Sequence, residues 1–252
     1  MLKEIRQAIV GIIIVFSALT LSACGSSSSG TKPKAQASDL KPGIFYIGRV
    51  FTDGSTKEGI SLLSSTGEFV ATLDRNSFTF STLTFSGSGE FSGPIVEYIL
   101  GDSWGLTSAT LSGEITSSRK ANLIASRSNL TSNGVLLRND KPSDLGVTFD
   151  ELSAVYVATN STSWITIGPE GEVTGEDRGC DFYGQVVIPD KTINVFEVTY
   201  KASTCSPLLA EGAEAMDRDG EFTGLGTYDP SGGELLFFAR NGTVAWMFKG
   251  KR

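Results

Sequence analysis

The chain has 252 residues, with 21 Lys and Arg against 28 Asp and Glu, and no histidine. The net charge of −7 disfavours nucleic acid and anionic lipid headgroups as partners. The missing histidine excludes Ser-His-Asp and Cys-His nucleophile systems and any His-ligated zinc.

Lys3 and Arg6 precede an apolar run from Ala8 to Leu21. That run is shorter than the roughly 20 apolar residues a membrane helix needs, and it suits the core of a signal peptide. It ends in Leu21-Ser22-Ala23-Cys24, which resembles the cleavage box of bacterial lipoprotein signal peptides position by position. The resemblance implies cleavage between Ala23 and Cys24, with residues 1–23 removed and lipid attached to Cys24. Gly25 follows where Asp would imply retention in the inner membrane, so the resemblance implies a lipid anchor in the outer membrane. Residues 24–41 begin with a Ser-rich tract that carries Lys32 and Lys34. Such a tract buries no core and reads as a flexible tether with a reach of about 20 Å.

From Pro42 the pattern is one of strands. Ile44 and Tyr46 alternate with Phe45 and Ile47, so this strand is apolar on both faces and reads as central. Ser65-Thr66-Gly67 is a hairpin turn between strands over 59–65 and 68–73. Over 77–85, Phe78 and Phe80 lie on one face, then Leu83 and Phe85 on the other, which predicts a bulge near Ser81-Thr82. Strands follow over 106–116, with Ala109, Leu111 and Ile115 inward, and over 119–128, with Ala121, Leu123 and Ala125 inward. A short strand over 135–137 closes this half. The stretch 139–150 breaks the alternation and separates a first β half (42–140) from a second (141–252).

The second half repeats the theme, with strands over 152–158, 164–167, 181–188, 193–200, 235–239 and 244–248. Only 207–216 reads as helix, capped by Ser206 with Pro207 in its first turn. A Gly-Glu-apolar step recurs at Gly67-Glu68-Phe69, Gly89-Glu90-Phe91, Gly113-Glu114-Ile115, Gly171-Glu172-Val173 and Gly220-Glu221-Phe222. It reads as a hairpin device in which Gly ends the turn, Glu faces solvent and the apolar residue opens the buried face. About fourteen short strands with almost no helix predict an all-β chain, an antiparallel barrel or sandwich built from two similar halves. In layout the body resembles β-rich envelope lipoproteins of unknown function, whose late Gly-Cys-x-aromatic-x-Gly step is matched by Gly179, Cys180, Phe182 and Gly184.

With Cys24 assigned to lipid, Cys180 and Cys205 remain as an even pair in an oxidising compartment, and a disulfide is expected between them. A hairpin turning at Pro189-Asp190-Lys191 would fold Tyr200 back towards Asp181 and bring both sulfurs to one end. Asp217-Arg218-Asp219-Gly220-Glu221 has the alternating carboxylates of a calcium loop but not EF-hand spacing, and a hairpin turn explains it more simply. Glu170, Glu172, Glu176, Asp177 and Asp181 read as a solvated acidic face. Trp104, Trp164 and Trp246 read as core, or as the lining of a ligand cavity. No cofactor, metal centre or catalytic set is assigned. The expected role is non-enzymatic and structural or interacting, with the membrane and an envelope protein as partners. A barrel binding a small apolar ligand is the alternative, and a carboxylate-dependent hydrolase comes third.

Overall fold

In a computed structural model, the residues described are 40–252 apart from 75, 101–103, 128–129, 160–161, 178, 204 and 206–217. The signal peptide, Cys24, the tether up to residue 39 and the expected helix over 207–216 lie outside them. One of the three tryptophans, Trp104, is described only in its backbone.

The alternation closes twice, into two antiparallel barrels rather than a sandwich. The first half contributes β1 (Gly43–Val50), β2 (Thr56–Leu63), β3 (Glu68–Asp74), β4 (Ser77–Thr82), β5 (Thr84–Phe85), β6 (Glu90–Leu100), β7 (Trp104–Ser117), β8 (Lys120–Arg127) and β9 (Leu130–Arg138). Consecutive strands pair except β4 and β5, and β4–β6 and β1–β9 complete a ring of eight with β5 appended to β6. Two single-turn helices, α1 (Asp140–Ser143) and α2 (Phe149–Leu152), occupy the expected boundary. Thr148 and Glu151 form a capping box on α2, which satisfies two of its orphan N–H groups.

The second half closes as β10 (Ala154–Ala158), β11 (Trp164–Ile167), β12 (Glu172–Asp177), β13 (Cys180–Val187), β14 (Phe196–Ser203), β15 (Gly220–Asp229), β16 (Glu234–Arg240) and β17 (Ala245–Lys251). Most inward side chains are apolar in both barrels, among them Phe45, Ile95 and Leu123 in the first and Ile165, Val198 and Phe237 in the second. Outward positions such as Thr110 and Glu114 are exposed. That is the reverse of a bilayer-spanning barrel, and eight strands enclose a width that side chains fill or that holds one small ligand.

The bulge expected near Ser81-Thr82 is absent. Ser81 opposes Ile95 and Thr84 opposes Ser92, one unbroken register along β6. Strict alternation therefore carries Leu83 into the first barrel's interior while Phe78 and Phe80 point outward. Their outward face is also buried, because the second barrel packs on it. This shared core joins Ile44, Leu62, Val70, Phe78, Phe80 and Tyr98 to Val195, Leu225, Phe238 and Ala245. The Tyr98 hydroxyl donates to the Asn241 carbonyl across the junction at 2.6 Å. Buried Ser143 of α1 accepts from the Ile44 N–H at 2.9 Å, while its own carbonyl accepts from the Asn194 N–H.

Four of the five Gly-Glu steps do what the sequence implies, with φ of +94° at Gly67, +78° at Gly89, +87° at Gly171 and +121° at Gly220. At the first three, the glycine N–H donates to the carbonyl three residues earlier, and that residue's N–H donates to the Glu carbonyl. This is the three-residue hairpin loop ending in a left-handed glycine. Gly113 differs: it sits inside β7, opposite the ring of Phe91.

Gly113 belongs to a second device. Inward glycines stand opposite inward rings at Gly113–Phe91, Gly175–Phe182, Gly184–Tyr200 and Gly226–Phe196. The ring takes the volume the glycine leaves, which lets the sheet curl. A Cβ on Gly226 would lie 2.2 Å from the Phe196 ring. Gly226→Ala should therefore destabilise by about 1–3 kcal/mol through overpacking. Gly87→Ala, with nothing within 4 Å of its Cβ, should change stability by less than about 0.5 kcal/mol. Chemical denaturation of both variants checks the contrast.

Candidate functional site at the mouth of the second barrel

Period-two alternation along β12 turns Val173, Gly175 and Asp177 inward and leaves Glu172 and Glu176 in solvent. The acidic run is thus not one solvated face: Asp177 leaves it and is buried. Inside the mouth, Arg218 donates through Nη2 to Asp177 Oδ2, and Ser163 donates to Asp177 Oδ1. The Asp177 and Arg218 side chains are 6% and 17% exposed. Arg218 also donates to the Asp177 carbonyl.

In the stretch 217–221, Arg218 is a turn residue and Gly220 opens the strand after it. Arg218 turns into the barrel, Glu221 lies on β15 opposite Lys201, and Asp217 is outside the described residues. Among the described residues no cluster of three or more acidic or thiol groups is arranged to hold a metal ion.

Cys180, directly opposite Asp177 in the register, is bonded to Cys205. The bridge is the expected one, but the hairpin register is not. Asp181 opposes Ser203 and Tyr200 opposes Gly184, three residues away from the expected pairing. The cause is the connection from β13 to β14, which is longer than a tight turn. Ile193 and Val195 within it pack into the core shared with the first barrel, so β14 begins only at Phe196.

Below the ion pair lies a nest of rings. Tyr200 and Phe222 stack with centroids 4.9 Å apart, and Trp246 meets Phe182 edge-on at 5.7 Å. A cavity of about 220 Å³ opens between these rings and the Asp177–Arg218 pair, overhung by Phe78 and Leu100 of the first barrel. Trp246 thus lines a cavity, whereas Trp164 lies on the outer surface and belongs to neither core nor cavity. A second hollow of about 360 Å³ sits at one end of the first barrel, between Leu40, Leu63, Leu83 and Phe85.

The first barrel carries a parallel arrangement that no sequence motif announced. Inward Arg49 donates to Glu97 Oε1 at 2.8 Å and to Ser132 Oγ at 2.7 and 3.1 Å. Each barrel therefore holds an arginine, a carboxylate and a serine near one end of its lumen.

Burial pushes the Tyr200 phenol well above its usual range, with the Asp177 charge adding to the effect. Burial likewise pushes Tyr156 up to about 12. Above pH ~10 the unfolded chain loses these protons while the folded chain keeps them, so stability falls as pH rises from there. An ultraviolet titration should show Tyr156 and Tyr200 ionising together with loss of the strand signal. Ionisation with the sheet intact would contradict their burial.

Outside the second barrel, Val155, Val157, Trp164 and Tyr183 are 53%, 51%, 37% and 56% exposed. Val157 opposes Trp164, and Val155 connects through Thr166 and Thr174 to Tyr183 in one cross-strand row. Outward Glu172 and Glu176 of β12 flank that row.

Among the described residues no helix is long and apolar enough to cross a membrane. No protein-family model matches the chain, and no curated protein matches it. Among solved structures it is similar to a redesigned β-barrel, at 14% identity over 41% of this chain and 95% of that one, with a TM-score of 0.23.

Proposed function

We propose that this chain is a lipid-anchored protein of the cell envelope, held at the outer membrane through lipid on Cys24, with a non-enzymatic role. It acts by contact with another envelope protein. The observation that carries this reading is the outer face of β10 to β13, where Val155, Val157, Trp164 and Tyr183 stand in solvent on a closed barrel. A barrel with no free sheet edge offers partners only its faces and ends, and exposed aromatic and branched residues in two cross-strand rows of one face mark such a surface. The carboxylates inside the barrels support a role without chemistry, since Glu97 and Asp177 are each committed to an arginine.

The test is photo-crosslinking in cells of the native organism. A crosslinking side chain at position 164 should give discrete adducts, and one at the outward position 122 should not. Cys24→Ala should abolish labelling by a palmitate analogue and weaken the adducts by separating the chain from the membrane. Equal labelling of both chains would place the anchor elsewhere. Indistinguishable adduct patterns from 164 and 122 would remove the docking face.

A further inference from the structure

We propose that the mouth of the second barrel is a binding site for a small neutral ring compound bearing one hydrogen-bond acceptor. Size comes first. An apolar cavity of ~150 Å³ accepts a benzene molecule, so about 220 Å³ accommodates one ring with a substituent of a few atoms. The walls suit a ring: Phe182, Tyr200, Phe222 and Trp246 supply flat apolar faces and edges, the surfaces on which aromatic contacts are made.

The polar group at the rim sets the rest of the chemistry. Among the described residues, Arg218 makes hydrogen bonds through Nη2 alone, both of them to Asp177. Its Nε and Nη1 donors remain for an acceptor beside the rings. Asp177 has both carboxylate oxygens engaged, one by Ser163 and one by Arg218, so its charge is already compensated within the protein. The pair is neutral as a unit. An anionic ligand would share Arg218 with a carboxylate already in place, and a cation would face the guanidinium. A neutral carbonyl or amide oxygen avoids both penalties, since burying a charge without its own partner is costly. Disulfide-bonded Cys180 lies in the same wall, so the floor of the site is covalently fixed.

The site is independent of the outer face of β10 to β13, and its failure would leave that face untouched. Three probes on the oxidised full-length chain decide it by calorimetric titration: benzamide, benzoate and toluene. Benzamide should bind saturably at one site, about tenfold or more tighter than toluene, because one hydrogen bond to a charged donor separates them. Benzoate should bind more weakly than benzamide. Arg218→Met should erase the preference of benzamide over toluene, and Ala202→Leu should fill the cavity and abolish benzamide binding. Circular dichroism of both variants reports whether the barrel is retained, and the three-probe series on the native chain stands without them. Unsaturable benzamide binding, equal affinity for toluene, or tighter binding of benzoate would each overturn the proposal.

Discussion

With Cys180 and Cys205 both replaced by alanine, the protein should melt about 10 °C lower than the native chain. The bridge joins positions 25 residues apart, and closing a loop of that length removes unfolded-chain entropy worth about 3.5 kcal/mol on the chain-entropy model. In a domain of this size each kcal/mol moves the midpoint by about 2–4 °C. The bridge lies just beyond Asp181 and Ser203, the last described register pair of β13 and β14. Native protein melted with reductant should approach the variant's midpoint. Coincident midpoints for oxidised native and variant chains would mean that the bridge restricts nothing in the unfolded state.

The second large effect is expected inside the first barrel. Glu97→Leu should cost about 3–5 kcal/mol, because it leaves the Arg49 charge uncompensated in the lumen. The Arg49 and Glu97 side chains are only 9% and 17% exposed, so water does little to screen the loss. The double variant Arg49→Met with Glu97→Leu removes both charges and fills the same space. It should recover most of that stability, since apolar replacement of a whole buried pair is often close to neutral. Urea denaturation of the two single variants and the double variant gives the coupling directly. If the double variant is as unstable as the sum of the singles, the coupling is zero and neither charge depends on the other for its compensation.

The sequence revealed fold class, the two halves and most strands because period-two alternation is local. Ala121, Leu123 and Ala125 read inward and are inward. It could not reveal why Phe78 and Phe80 face one way and Leu83 the other. A bulge and a doubly buried strand produce the same pattern, and only the packing of one barrel on the other distinguishes them. Asp177 was lost in an acidic run for a related reason. Composition suggested solvent, while its parity with Val173 and Gly175 already pointed inward. Arg218 and Arg49 carried no local signal, because their partners Asp177 and Glu97 are 41 and 48 positions away. The register of β13 and β14 was missed because Ile193 and Val195 are apolar without being strand, drawn instead into the core between the barrels.

The ring order of strands has a consequence for assembly. In the second barrel every pairing but one joins neighbours in sequence, so hairpins can zip locally as the chain is made. The exception is the seam, and it rests on the register pairs Val157–Lys251 and Ala158–Gly250. The first barrel's seam runs through six pairs, from Phe45–Arg138 to Val50–Asn133. A chain emerging from its N-terminus can close the first barrel as soon as Arg138 is free. The second must wait for its last seven residues, Ala245–Lys251, and until then the finished first barrel serves as the wall against which the growing hairpins collect.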